Sequence, residues 1–188
     1  MSLIERCRER RRHGEEDEGF TLIELLVVLL IIGILLAIAI PTFLSITKGA
    51  NGTAAQSNLQ TALTGVDSYY TTGGQTYTGL TNSTTYSNIN QIDTGLSYIT
   101  GPSKGAHDIS ISIPNGGAIT MVDYAPGQND CWGIVDIKQT QSSSVLGETA
   151  VGTYYFVSDK GTATPSSCTA SALTTSSTTI QAGSFPPA

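Results

Sequence analysis

The chain has 188 residues, 39% hydrophobic, 7% aromatic and 13% charged, with a formal net charge of -6, which fits one modest domain plus an appendage. All five arginines (Arg6, Arg8, Arg10, Arg11, Arg12) lie in the first twelve residues, and from Phe20 onward four lysines face nine carboxylates, a balance that offers nothing to nucleic acid phosphate. That same stretch has one histidine, His107, no GxSxG, P-loop, GxGxxG or HExxH sequence, and two cysteines outside any CxxC, so the reading is of a non-enzyme without metal or cofactor.

The basic stretch Arg6 to Arg12 is followed by an acidic run, Glu15 to Glu18, and then by apolar sequence. From Leu25 to Ile40 sixteen residues are apolar without interruption, and extending back to Phe20 adds only Thr21 and Glu24 as polar members. About 20 such residues cross a bilayer as a helix. A signal-peptide core runs about 7 to 15 residues and ends in small residues; this run is longer, and Pro41-Thr42-Phe43 offers no such ending. The reading is a membrane-inserted helix, with a buried core helix as the alternative. Basic residues before it place the N-terminus in the cytoplasm and the bulk of the chain outside.

Glu24 lies one turn into this apolar helix, where an ionised carboxylate is costly and by default marks a function that needs a partner. The helix N-terminus, with its unbonded N–H groups and positive dipole end, is the nearest source of compensation. A free amine just before Phe20 would be another, within one chain or between neighbours in a packed array. Snorkelling of Glu24 to the interface is the plainer reading. Gly33 and Pro41 are positions where the helix can kink, stretch or melt, because glycine weakens a helix interior and proline removes a backbone bond.

Together, Gly19-Phe20-Thr21-Leu22-Ile23-Glu24 and the apolar run through Gly33 to Pro41 resemble the signal and N-terminal helix of bacterial type IV prepilins, over about 25 continuous residues. The resemblance implies that a membrane prepilin peptidase cuts after Gly19 and methylates the new Phe20 amine. It also implies that the apolar helix is kept as the assembly domain, with Glu24 and Phe20 fixing the axial register of neighbours. The acidic run departs from the family's usual basic leader. Cys7 would be lost with that leader, residues 1–19.

The hydrophobic helix, 20–44, continues as an amphipathic segment over 45–72. Apolar positions recur at Phe43, Ile46, Ala50, Ala54, Leu59, Leu63, Val66 and Tyr70, one stripe of a helix, and Gly73-Gly74 forms a stop. Gly49 and Gly52 read as weak points. Residues 73–107, rich in Gly, Thr, Asn and Tyr, read as a connecting loop. Strands are expected over 108–113, 118–124, 132–137 and 152–157; Pro114-Asn115-Gly116-Gly117 makes the first two a hairpin. The fold class is therefore α+β, with the second half of a long N-terminal helix packed on an antiparallel sheet of about four strands, as in the type IV pilin fold the resemblance implies.

Cys131 and Cys168 are the only cysteines left after the leader. A disulfide between them, of the kind the family commonly has around its C-terminal region, would close a loop within 108–168; two unpaired buried thiols are the alternative. From Thr42 to the end, 44 of 147 residues are Ser or Thr, and the tail 169–188 is mostly Ser, Thr, Ala and Pro. Such a surface is solvated without charge, suits a densely packed extracellular polymer and offers sites for O-glycosylation. Asn51-Gly52-Thr53 and Asn82-Ser83-Thr84 match the N-glycosylation pattern.

The resemblance implies a structural subunit, a major type IV pilin. Its partners would be copies of itself, the prepilin peptidase, the membrane before assembly, and an assembly machine with a platform protein and an ATPase. It implies a precursor in the inner membrane and an extracellular filament serving adhesion, twitching motility or DNA uptake, without direct nucleic acid binding by this subunit. A major pseudopilin of a type II secretion system is the alternative within the superfamily. Such subunits tend to hold calcium, but Asp123, Asp130, Asp136 and Asp159 are scattered singly. From other classes, a singly anchored binding domain or a tethered enzyme would need the helix but not Gly19, Phe20 or Glu24.

Overall fold

One continuous helix, α1, runs from Leu22 to Thr72. The computed structural model describes residues 19–81, 95–105 and 107–187. The basic and acidic leader up to residue 18 and the Asn82 sequon fall outside these. The chain divides into two compact units, Met1–Phe43 and Leu44–Ala188. In the first, every described side chain is exposed, because a lone helix has nothing to bury its apolar surface against. α1 passes Gly33 and Pro41 without a break, and beside the proline the Thr42 hydroxyl donates to the Ile38 carbonyl at 3.0 Å.

In the second unit α1 packs on a six-stranded sheet: β1 Ser97–Ile99, β2 Asp108–Asn115, β3 Ala118–Ala125, β4 Asp130–Ile137, β5 Gly152–Ser158 and β6 Thr178–Ala182, in that spatial order. Five strands are antiparallel neighbours, while β1 runs parallel to β2. Two corrections to the sequence reading follow. The sheet has six strands, not four. Short 3-10 turns occupy Thr78–Thr81 and Thr175–Ser177, so the segments read as a loop (73–107) and a tail (169–188) each supply a 3-10 turn and an edge strand. β1 is three residues long and exists through its pairing with β2, a long-range cause invisible to local patterning. β6 is built of Thr-Thr-Ile-Gln-Ala, and threonine suits a strand as well as a solvated surface.

The helix stripe also differs. The residues that α1 buries are Gly52, Ala55, Leu59, Ala62, Gly65 and Val66, whereas Ala50 and Ala54 face out. Small side chains let the helix approach closely. A Cβ at Gly52 would meet the end of the Gln128 side chain, so α1 lies close to the β3–β4 turn at this glycine. With Leu59 and Val66 on this face pack Tyr98, Ile109, Ile111, Met121, Trp132 and Ile134. The tail returns here: Phe185 lies edge-on to Trp132, with ring centroids 5.7 Å apart.

β3 and β4 are buried along their whole length because the opposite sheet face has its own cover. There Val122, Val135 and Phe156 meet Val145, Ala163, Cys168 and Ala170 from the connections around β5. Phe156 lies across Gly133, where no Cβ would fit. Cys131 at the start of β4 and Cys168 form a disulfide with their Cα atoms 5.4 Å apart.

Candidate functional site

The residues singled out for processing and assembly lie together at the start of α1. Gly19, Phe20 and Thr21 precede the helix, and Glu24 is in its first turn. Glu24 does not stand alone there. Its Oε2 accepts from the Thr21 backbone N–H at 2.9 Å and from the Thr21 hydroxyl at 2.7 Å, and its own N–H donates to Thr21 Oγ1 at 3.3 Å. This is a reciprocal capping box, in which a Thr at the N-cap and a Glu three residues on satisfy each other's backbone groups. By hydropathy alone Thr21 is one of two polar members of the run. The signal for its role was present: a Thr-x-x-Glu spacing before an apolar stretch.

The box gives the carboxylate a polar setting at the mouth of an apolar helix, with both Thr21 bonds on a single oxygen. Phe20 is 79% exposed beside it. Beyond it, large apolar side chains from Leu22 to Ile46 are all exposed, a surface that water does not tolerate over such an area. α1 is long and apolar enough to cross a membrane. Chemically this is a surface for lipid or for like helices, with one carboxylate near its end.

The remaining candidates have structural employment. Asp136, buried on β4, accepts from the Tyr77 hydroxyl at 2.6 Å and from Thr153 Oγ1 at 2.9 Å, and pairs with Lys138 at 3.1 Å. Lys138 also reaches Asp67 of α1 at 2.8 Å. Burial alone would lower the Lys138 pKa, but its bonds to Asp67 and Asp136 outweigh this and raise it. Burial, and then the bond to Asp136, push the Tyr77 phenol far up. Asp130 accepts from the Gly161 N–H, and Asp159 sits in a turn with φ 52°. Among the described residues no three His, Cys, Asp or Glu side chains are grouped so as to hold a metal ion.

Comparison with known proteins bears on the same N-terminal residues. Residues 17–40 match the prokaryotic N-terminal methylation motif. The type IV major pilin protein PilA of Myxococcus xanthus is 42% identical over 59 residues, 31% of this chain and 27% of that protein. The type IV narrow pilus major component PilA5 of Thermus thermophilus is 38% identical over 93 residues, which take in 37% of this chain and 77% of the relative. The chain belongs to the type IV pilin family. No solved structure matches it.

The Thr21–Glu24 box makes a measurable demand on the Thr21 hydroxyl. Thr21→Val keeps the shape and the backbone N–H but removes the hydroxyl. The Glu24 amide, which then loses its acceptor, is expected to exchange its hydrogen roughly fivefold faster in detergent-solubilised protein, as for a typical lost N-cap. An unchanged rate would mean that the hydroxyl does not cap the helix.

Proposed function

We propose that this pilin is the repeated, major subunit of an extracellular type IV pilus. It is made as an inner-membrane precursor, cut by a prepilin peptidase between Gly19 and Phe20, methylated on the new amine, and polymerised through the apolar half of α1. The single observation that carries this is the exposed apolar surface from Leu22 to Ile46, headed by a retained Glu24 in a capped first turn. A helix of this kind needs lipid before assembly and like helices after it. The two relatives, both described as major pilus components, support the same reading.

Within a filament, the Phe20 amine of one subunit pairs with Glu24 of its neighbour, and Gly33 and Pro41 are where the helix stretches. A platform protein and an ATPase extract the subunit from the membrane. Adhesion, twitching motility or DNA uptake are the uses such a polymer has. Asp123, Asp130 and Asp136 are engaged in bonds inside the domain, which favours this over a calcium-holding secretion pseudopilin.

The test is the intact mass and N-terminal sequence of material sheared from the cell surface. The expected chain starts at Phe20 and is one methyl group heavier than the unmodified sequence. Membrane-retained protein that still carries residues 1–19, with nothing in the sheared fraction, would point instead to a singly anchored extracellular domain.

A further inference from the structure

Asp123 is fully buried on β3, on the sheet face that carries α1. Its Oδ2 accepts from Asn58 Nδ2 of α1 at 3.1 Å, and its Oδ1 accepts from Ser103 Oγ, in the β1–β2 connection, at 3.3 Å. Ser103 Oγ in turn accepts the Tyr124 N–H at 2.9 Å, and the Ser103 N–H donates to the Cys168 carbonyl at 2.9 Å. One carboxyl group thus ties together the helix, the β1–β2 connection and β3, and through Ser103 it reaches the disulfide-tethered loop.

The donors to Asp123, namely Asn58, Ser103 and the Tyr124 backbone N–H, are all neutral. Ion pairs among the described residues leave it out; they join Lys138 to Asp67 and Asp136. The ionisable groups on the elements around it are few. On α1 the nearest in sequence to Asn58 are Lys48 and Asp67, more than two helical turns away in either direction. The β1–β2 connection carries Lys104, which is exposed, and His107. β2 begins with Asp108, whose charge opposes ionisation of Asp123. On β4 the residue opposite Asp123 is Trp132, and Asp130 is engaged with Gly161. A carboxylate in this place is a buried charge without a counter-ion, which is costly, whereas the neutral acid is not.

We propose that the Asn58–Asp123–Ser103 cluster is a pH-responsive latch between α1 and the sheet: their packing is most stable while the buried carboxyl is protonated and is weakened when ionisation leaves a buried charge without a counter-ion, even though Asn58 and Ser103 donate more strongly to the carboxylate. Burial, only partly offset by the bonds from Asn58 and Ser103, pushes the group from its ordinary 3.8 up to about 7. Because the folded value lies above the unfolded one, the folded chain holds an extra proton between them. Its contribution to stability is complete below the unfolded value and is lost as pH rises through about 7. The latch would make the domain firmer in mildly acidic surroundings than in alkaline ones.

The experiment is a pH series of thermal unfolding on the full chain in detergent, wild type beside Asp123→Asn. Asparagine keeps an acceptor for Asn58 and can donate to Ser103, but does not ionise. Other titrating groups are common to both proteins, so the difference in Tm against pH isolates this site. It is expected to be flat below about 4, to fall steadily between about 4 and about 7 as wild type loses stability relative to the variant, and to level off above about 7. Parallel curves from pH 5 to 8 would overturn the proposal. Should the variant not fold, the Asp123 carboxyl carbon of the wild-type protein can be followed by NMR. A midpoint near 7 supports the latch, and one near 4 overturns it.

Discussion

Replacing Cys131 and Cys168 together by alanine is expected to destabilise the C-terminal unit by about 4 kcal/mol, the chain-entropy estimate for opening a loop whose ends are 37 residues apart. Both cysteines are fully buried. The disulfide holds the connection after β5 against the second sheet face, where Ala163 and Ala170 cover Val122 and Val135. Two further bonds seat that connection: Ser103 N–H to the Cys168 carbonyl at 2.9 Å, and the Ala170 N–H to Ser110 Oγ at 2.9 Å. Without the cross-link these have to hold the loop unaided. Urea unfolding of the full chain in detergent measures the effect, with reduced wild type expected to match the double variant. A loss below about 1 kcal/mol would show that packing alone fixes the loop and that the unfolded chain gains little freedom. Loss of the loop would also expose the side of β4 that carries Val135 and Ile137, so aggregation is expected to accompany unfolding in the variant.

What the sequence made legible divides by the range of the cause. The long helix and strands β2 to β5 were placed within about two residues of their ends, because apolar periodicity, a Gly-Gly stop and a Pro-Asn-Gly-Gly turn are local signals. β1 and β6 were missed: one is defined by a partner strand rather than by its own three residues, and the other lies in a Ser/Thr-rich tail whose composition reads as solvent-facing surface. The packing stripe of α1 is legible in its second half, where Leu59 and Val66 are buried and Leu63 and Tyr70 pack against the core, and not in its first, where Ala50 and Ala54 face out while Gly52 and Ala55 are buried, because small residues carry little hydropathy signal. At the candidate site, Glu24 stands out as the one charge in the apolar run, Gly19 and Phe20 enter only through the resemblance to prepilins, and the Thr21-x-x-Glu24 spacing carries the cap. Asp123 and Asp136 could not, since the partners that give them meaning, Asn58 and Tyr77, are 65 and 59 residues away.

The assembly proposal makes its sharpest demand on Glu24. Glu24→Ala removes both the capping partner of Thr21 and the charge. Glu24→Gln removes the charge alone, because its amide oxygen can still accept the two bonds that Oε2 now takes from Thr21. Neither change impairs membrane insertion, as an apolar helix enters a bilayer more readily without a carboxylate. Both variants are therefore expected in the membrane fraction at wild-type levels or above, cleaved before Phe20, while surface-sheared filament falls to background. On the proposed assembly, both lose the charge pairing between a Phe20 amine and the neighbour's Glu24. If Glu24→Gln still gives filaments and Glu24→Ala does not, the carboxylate acts through the Thr21 cap, shaping the first turn of α1 rather than pairing across subunits. If both assemble normally, the register of the filament is set by the apolar surface alone, and the ion pair has no part in it.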